Sequence, residues 1–302
     1  MKQLGLLSFF LVLNCASSKA LDSLDYRQKK NLTIASSTVG VVYAGSISLL
    51  YKTWYQNQST GKFQLFNDAL EWKGMDKIGH FTTSWWISQA LLDVQESISL
   101  PHESSVIRSA ATSLAFMTTI EVFDGFSEGY GFSFADMGAN ALGITLFTLQ
   151  ELKWGEQRLL AKYSYHNSNE SQLRPDLLGA TLPEKMLKNY NAQNYWLSFP
   201  INKVCSKFEK VPAYLSFSVG YGVSGLYGAK DNSYLNLFDL NPSFDYSRQS
   251  HYYFSFDIDL QKIPIRGKAW KLFTSLVRWV KIPAPSLAFN KSTGLKFYPI
   301  YW

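Results

Sequence analysis

The chain has 302 residues, enough for one substantial core or two modest ones, and two units are expected. Aromatic residues make up 16% of it, above the usual globular level, and the net charge is +6. With no arginine-rich run and no nucleic-acid-binding module, a nucleic-acid partner is excluded, and two cysteines cannot make a disulfide framework.

The N-terminus carries the three parts of a secretory signal: Lys2, an apolar run from Leu4 to Leu13, and small residues ending at Ser18-Lys19-Ala20. Residues 1–20 are therefore expected to be a leader, and the chain to work outside the cytoplasm from about Leu21. Cys15 offers a second route, lipidation just after the apolar run, although Asn14 stands where a lipoprotein signal wants a small residue. Either cleavage leaves Cys205 without a partner in the same chain. Cleavage after Ala20 removes Lys2 and Lys19, so 6 − 2 leaves a net charge of 4, which suits contact with anionic lipid headgroups.

From Thr33 to Tyr51 no charge interrupts the chain, and Ala35, Ser36, Gly40, Ala44 and Ser48 recur at near-helical spacing. The segment is long enough to cross a bilayer and equally fits a buried helix of a water-soluble bundle, so both remain open. Lys62 to Trp72 reads as a short amphipathic element. A second helix is predicted from Asp76 to Glu96, with Asp76, His80 and Ser84 on one face.

After Pro101, Ser104 or Ser105 can cap a third helix reaching Phe123. Glu121 and Asp124 then fall in its last turn, where the helix dipole disfavours negative charge and a cation is needed; Lys77 and His80 are the candidates. Gly125, Gly129 and Gly131 form a loop. Ser133-Phe134-Ala135-Asp136 has the form of a capping box opening a fourth helix with Asp136, Asn140 and Gly143 on one face. That helical pattern runs on past Trp154 to Tyr163.

Residues 166–194 read as a polar link containing a short helix capped at Thr181. Beyond Tyr195 the period changes to two: Tyr252, Phe254, Phe256, Ile258 and Leu260 alternate with His251, Tyr253, Ser255, Asp257 and Asp259. Lys268 to Lys281 reads as an amphipathic helix, and Leu295 to Trp302 as a closing strand. The expected class is α+β: a bundle of about four apolar helices over residues 21–165, the link, and a β-rich antiparallel part, sheet or small barrel, over 195–302.

The polar residues of the first part converge into one expected cluster of Asp76, Lys77, His80, Glu121, Asp124, Ser133, Asp136 and Asn140, with Gly79 and Gly143 allowing close helix approach. Two roles fit it. As a structural knot, the caps and ion pairs neutralise charges that an apolar bundle could not otherwise hold. As an active site, His80 is the general acid or base, oriented by Asp76, with Glu121, Asp124 and Asp136 beside it. No second histidine has ligand spacing, since His102, His166 and His251 stand alone, so neither a metal nor a cofactor is expected.

The run Asp76-Lys77-Ile78-Gly79-His80-Phe81, the block Glu121-x-x-Asp124-Gly125-Phe126-Ser127, and Gly131-Phe132-Ser133-x-x-Asp136-x-x-Ala139-Asn140-x-x-Gly143 together resemble the YfiM family of predicted periplasmic lipoproteins. A looser likeness extends to VanZ-type membrane proteins, whose comparable polar residues also sit at helix ends. Blocks farther on, among them Arg174-Pro175-Asp176 and Lys281-Ile282-Pro283-Ala284-Pro285, resemble the long form of that family found in Bacteroidota. The resemblance implies an envelope location and carries no established activity.

The expected function is thus a non-enzymatic envelope component, associated with or embedded in the outer membrane, in contact with its lipid and serving a larger envelope protein complex. The alternative is a membrane-embedded hydrolase or transferase acting on a lipid or cell-wall precursor through His80 and the nearby carboxylates. A lipid-binding module is the third.

Overall fold

Side-chain caps open two of the long helices, the first at Asp25 and the last at Ser133. Asp25 opens α1, Tyr26–Leu50, with a capping box: its carboxylate accepts from the Gln28 N–H at 2.7 Å while the Gln28 side chain accepts from the Asp25 N–H. The computed structural model describes residues 25–52, 61–204, 206–233 and 246–301. The expected leader, with Cys15 and the processing site at Ala20, lies outside them, as does Cys205. The described residues form two compact units, one up to Ala69 together with Gly79–Gln157, the other Leu70–Ile78 together with Arg158 onward.

The first unit holds α1, most of α2 (Met75–Ser97), α3 (His102–Gly125) and α4 (Phe134–Trp154). Its helices approach closely through small side chains. Ser113 Oγ on α3 donates to the Ser84 carbonyl of α2 at 2.8 Å, and Ser84 Oγ donates to the Asn140 carbonyl of α4 at 3.0 Å. Any Cβ on Gly143 would run into the Phe81 carbonyl, so glycine sets how near α4 comes to α2. Tyr43 ties α1 to α3 by donating to Thr119 Oγ1 at 2.7 Å.

Two boundaries depart from the pattern. α3 starts at His102 directly after Pro101, and the Ser104 and Ser105 hydroxyls instead donate back to the Pro101 carbonyl. α4 does not run on to Tyr163: Gly155 adopts φ +65° and returns its N–H to the Glu151 carbonyl, which stops the helix. Residues Lys62 to Asn67, expected to be amphipathic, lie along the loop after α3, where Gln64 and Phe66 exchange backbone hydrogen bonds with Gly125 and Phe132.

The second unit is built on an antiparallel sheet which, among the described residues, has six strands in chain order: β1 (Leu160–Tyr165), β2 (Gln193–Pro200), β3 (Leu215–Ser224), β4 (Gln249–Ile258), β5 (Ala284–Asn290) and β6 (Gly294–Tyr301). Three short helices, α5 (Glu170–Leu173), α6 (Pro175–Leu178) and α7 (Leu182–Lys188), join β1 to β2, and α8 (Lys268–Val277) precedes β5. The outer edge of β1 is covered by a parallel bridge between Tyr163 and Val280. The mixed class, helices first and antiparallel sheet after, is the one read from the sequence.

The sheet's register sorts its residues in an unusual way. One face carries Lys162, Trp196, Ser198, Ser218, Ser255, Asp257 and Ser286, all buried. The other carries Val219 opposite Phe254 and Leu287 opposite Phe297, and these four are 40–63% exposed. Antiparallel sheets ordinarily bury the apolar face and wet the polar one. Here the order is reversed, because the buried charges satisfy one another. Asp257 accepts from Lys162 Nζ at 2.7 Å and from Ser198 Oγ at 2.6 Å, and Lys281 Nζ lies 3.8 Å from its other oxygen while donating to the Phe256 and Ile282 carbonyls at 2.7 Å. The Trp196 ring fits because Gly220 stands opposite it without a side chain.

Candidate functional site

In the first unit three helices bring their polar residues to one end. α2 contributes His80 near its start, α3 contributes Glu121 in its last turn, and α4 contributes Asp136 and Asn140 from its first two turns. His80 Nδ1 lies 3.3 Å from Glu121 Oε1 and 3.3 Å from Asn140 Oδ1, and Nε2 lies 3.8 Å from Asp136 Oδ1. Glu121 and Asn140 are buried, whereas the His80 side chain keeps 17% of its surface exposed and gives the group its opening.

The loop before α4 secures the acidic members. Ser133 caps α4 by accepting from the Asp136 N–H at 3.1 Å, its own N–H donates to Glu121 Oε2 at 3.4 Å, and its hydroxyl donates to Asp68 Oδ1 at 2.6 Å. Glu121 Oε1 is buried and accepts no hydrogen bond, and Asn140 Nδ2 donates none. Burial, with the nearby charges of Asp136 and Asp124 adding to it and His80 opposing it, pushes the Glu121 carboxyl up to about 8.

The structure therefore brings together His80, Glu121, Ser133, Asp136 and Asn140, with Asp124 acting on Glu121 through its charge. Gly143 lies one turn beyond Asn140 on α4, and Gly79 directly precedes His80 on α2. Asp76 and Lys77 pair with each other at 2.8 Å and count with the second unit, where Tyr190 Oη donates to Asp76 at 2.6 Å.

Two features were not foreseen. Asp68 joins the loop through Ser133, and nothing in its sequence neighbourhood distinguishes it from a solvated acid. At the far end of α2, His102 is not isolated: Nδ1 lies 2.8 Å from Glu96 Oε1 and Nε2 lies 3.5 Å from Glu151 Oε2. Its imidazole is desolvated, yet its pKa is raised by the hydrogen bond to Glu96 and by contacts with Glu151. Glu96 and His102 flank the short α2–α3 connection, a proximity that the helix boundaries could have disclosed.

Chemically, the His80 group offers one imidazole and several acidic or amide oxygens around a partly open position. It can hold a proton or a cation. The serine hydroxyls beside it are committed to the Asn140 carbonyl and to Asp68.

Residues 64–151 match the model of a family described as predicted periplasmic lipoprotein (DUF2279). The matched stretch begins at the segment paired with the α3–α4 loop and ends within α4, so it contains both histidine–carboxylate groups, while the six strands of the second unit fall outside it. That description fits an exported component of the cell envelope. No curated protein and no solved structure matches the chain.

Proposed function

We propose that this protein is a non-enzymatic accessory component of an envelope assembly, held at the outer membrane with its apolar faces resting against lipid. The reading keeps the outer-membrane location and the YfiM resemblance drawn from the sequence motifs. The observation that carries it is the apolar surface that each unit, taken by itself, turns outward while burying polar side chains.

In the helical unit, Ser84, Ser88, Ser109 and Ser113 are wholly buried, whereas Val41 is 74% and Leu142 66% exposed. In the β unit, α8 buries Thr274 and turns out Leu272 and Leu276, which are 64% and 68% exposed. Water gives no reason to wet isoleucines and phenylalanines while burying serines and lysines; at about 25 cal/mol per Å2 of apolar surface, such an arrangement gains stability only where the outside is itself apolar. Basic side chains on α8, Lys268 and Lys271, suit anionic headgroups.

Cell fractionation followed by carbonate extraction tests this reading. The protein is expected in the carbonate-resistant outer-membrane pellet, and full release into the soluble fraction refutes it. The alternative, a hydrolase or transferase working through His80, is favoured by one observation, the partial exposure of that imidazole. A His80→Gln chain that accumulates normally but loses an envelope function would support the enzyme.

A further inference from the structure

We propose that the His80 group is a binding site for one divalent transition cation, with His80 Nδ1, Glu121 Oε1 and Asn140 Oδ1 as protein ligands and Asp136 as the residue that orients the imidazole. This goes beyond the envelope reading and does not depend on it.

The starting point is an oxygen without a hydrogen bond. Glu121 is 1% exposed, and its Oε1 accepts nothing although it points at the imidazole. A buried carboxyl oxygen in that state costs free energy unless a proton or a metal cation completes it, and a metal binds there by displacing the proton. Asp136, itself 4% exposed, and Asp124 add negative charge around the same point, so electrostatics favours a positive guest.

The spacing suits a metal. Donor atoms bonded to one ion at about 2.0–2.2 Å lie roughly 3 to 3.5 Å from each other. Both the Nδ1 to Glu121 Oε1 and the Nδ1 to Asn140 Oδ1 distances are 3.3 Å. With Nδ1 turned to the ion, Nε2 faces Asp136 Oδ1 at 3.8 Å, just outside hydrogen-bond distance, so a small movement of the ring on metal binding brings the carboxylate to the place from which it fixes the tautomer and angle of a ligating histidine. The other Glu121 oxygen is held by the Ser133 N–H, which leaves Oε1 aimed. The exposed edge of His80 supplies a path of entry and room for water to complete the coordination.

One nitrogen with two oxygens selects among metals. Imidazole argues against Mg2+ and Ca2+ as preferred guests, the absence of a sulfur ligand from the set argues against Cu(I), and the general affinity order places Zn2+ above Mn2+ and Fe2+. Zn2+ is therefore the probe of choice, and Co2+ its spectroscopic stand-in.

The full chain, purified in mild detergent and stripped with a chelator that is then dialysed away, is titrated with ZnCl2 by calorimetry and with CoCl2 by visible absorption. One equivalent is expected to bind with a rise in Tm, and Co2+ to give d–d bands. Glu121→Gln keeps the shape of the carboxyl group and should weaken binding at least tenfold; Asp136→Asn should weaken it less. Asn140→Asp, which adds an anionic ligand, should strengthen it, and this gain stays readable if the other variants do not fold. His102→Gln should change nothing. Absence of Zn2+ binding by the folded chain at 100-fold molar excess overturns the proposal. So does binding that His102→Gln removes, because the ion would then occupy the group at the other end of α2.

Discussion

Asp257→Ala isolates the device that lets the sheet bury its polar face. The side chains of Lys162 and Lys281 are 2% and 0% exposed, and Asp257 is the carboxylate that faces both. Deleting it leaves two ammonium groups in a dry layer, both beside carbonyl oxygens, Lys281 also against the Trp196 ring and Lys162 with only the more distant charge of Asp259, and removing one partner of a buried pair typically costs about 3–5 kcal/mol. Asp257→Asn keeps the side-chain shape but removes the charge, so it should cost less than the alanine variant. Replacing all three members together, Lys162→Met, Asp257→Leu and Lys281→Met, should recover most of the loss, since well-packed apolar groups of similar volume often replace buried ion pairs without penalty. Urea unfolding followed by tryptophan fluorescence is the assay, Trp196 having its ring 5.1 Å from Lys281 Nζ. An Asp257→Ala protein within about 1 kcal/mol of the parent would refute the reasoning.

Lys281 also sets a pH dependence. Burial lowers its ammonium to about 8, with Lys162 adding to the effect and Asp257 opposing it, while the unfolded chain titrates at the ordinary value near 10.5. Between those limits the unfolded state binds more protons, so stability should rise from about pH 8 towards pH 10, and the rise should vanish in Lys281→Met; a flat profile in the parent would count against it. Above pH 10 the tyrosines reverse the trend, because burial raises Tyr163 and Tyr253 and their folded forms resist ionisation. Gly143→Ala forces a Cβ against the Phe81 carbonyl and should destabilise the helical unit by about 1–3 kcal/mol, read by thermal melting; an unchanged Tm would show that α4 can move aside. Tyr43→Phe removes the bond to Thr119 and should cost about 1 kcal/mol in the same assay, with no loss meaning that α1 is held by packing alone.

Much of this architecture was legible because its signals are local. A capping serine three residues before Asp136, acids closing α3 and a charge-free run ahead of them were sufficient to foresee a helical first part with polar residues at one end. The end of α4 was misread because Trp154 to Tyr163 keeps helical spacing of its apolar residues, and a single left-handed glycine outweighs that pattern. Alternation from His251 to Leu260 revealed two faces but could not reveal which is buried, since period two is symmetric between them. That choice is made by Lys162 and Asp257, almost a hundred residues apart and joined at 2.7 Å only once β1 to β4 are assembled. In the His80 group the residue types could be foreseen, whereas the orphaned Glu121 oxygen is a matter of geometry.

Flotation of the purified chain with vesicles of phosphatidylethanolamine and phosphatidylglycerol measures most directly whether the outward apolar faces meet lipid. The protein should rise with the vesicles, and Phe254→Ser combined with Phe297→Ser should leave more of it at the bottom of the gradient, since both rings stand on the exposed side of the sheet. A parent protein that stays at the bottom, monomeric and folded, with vesicles in excess would contradict the lipid-facing arrangement.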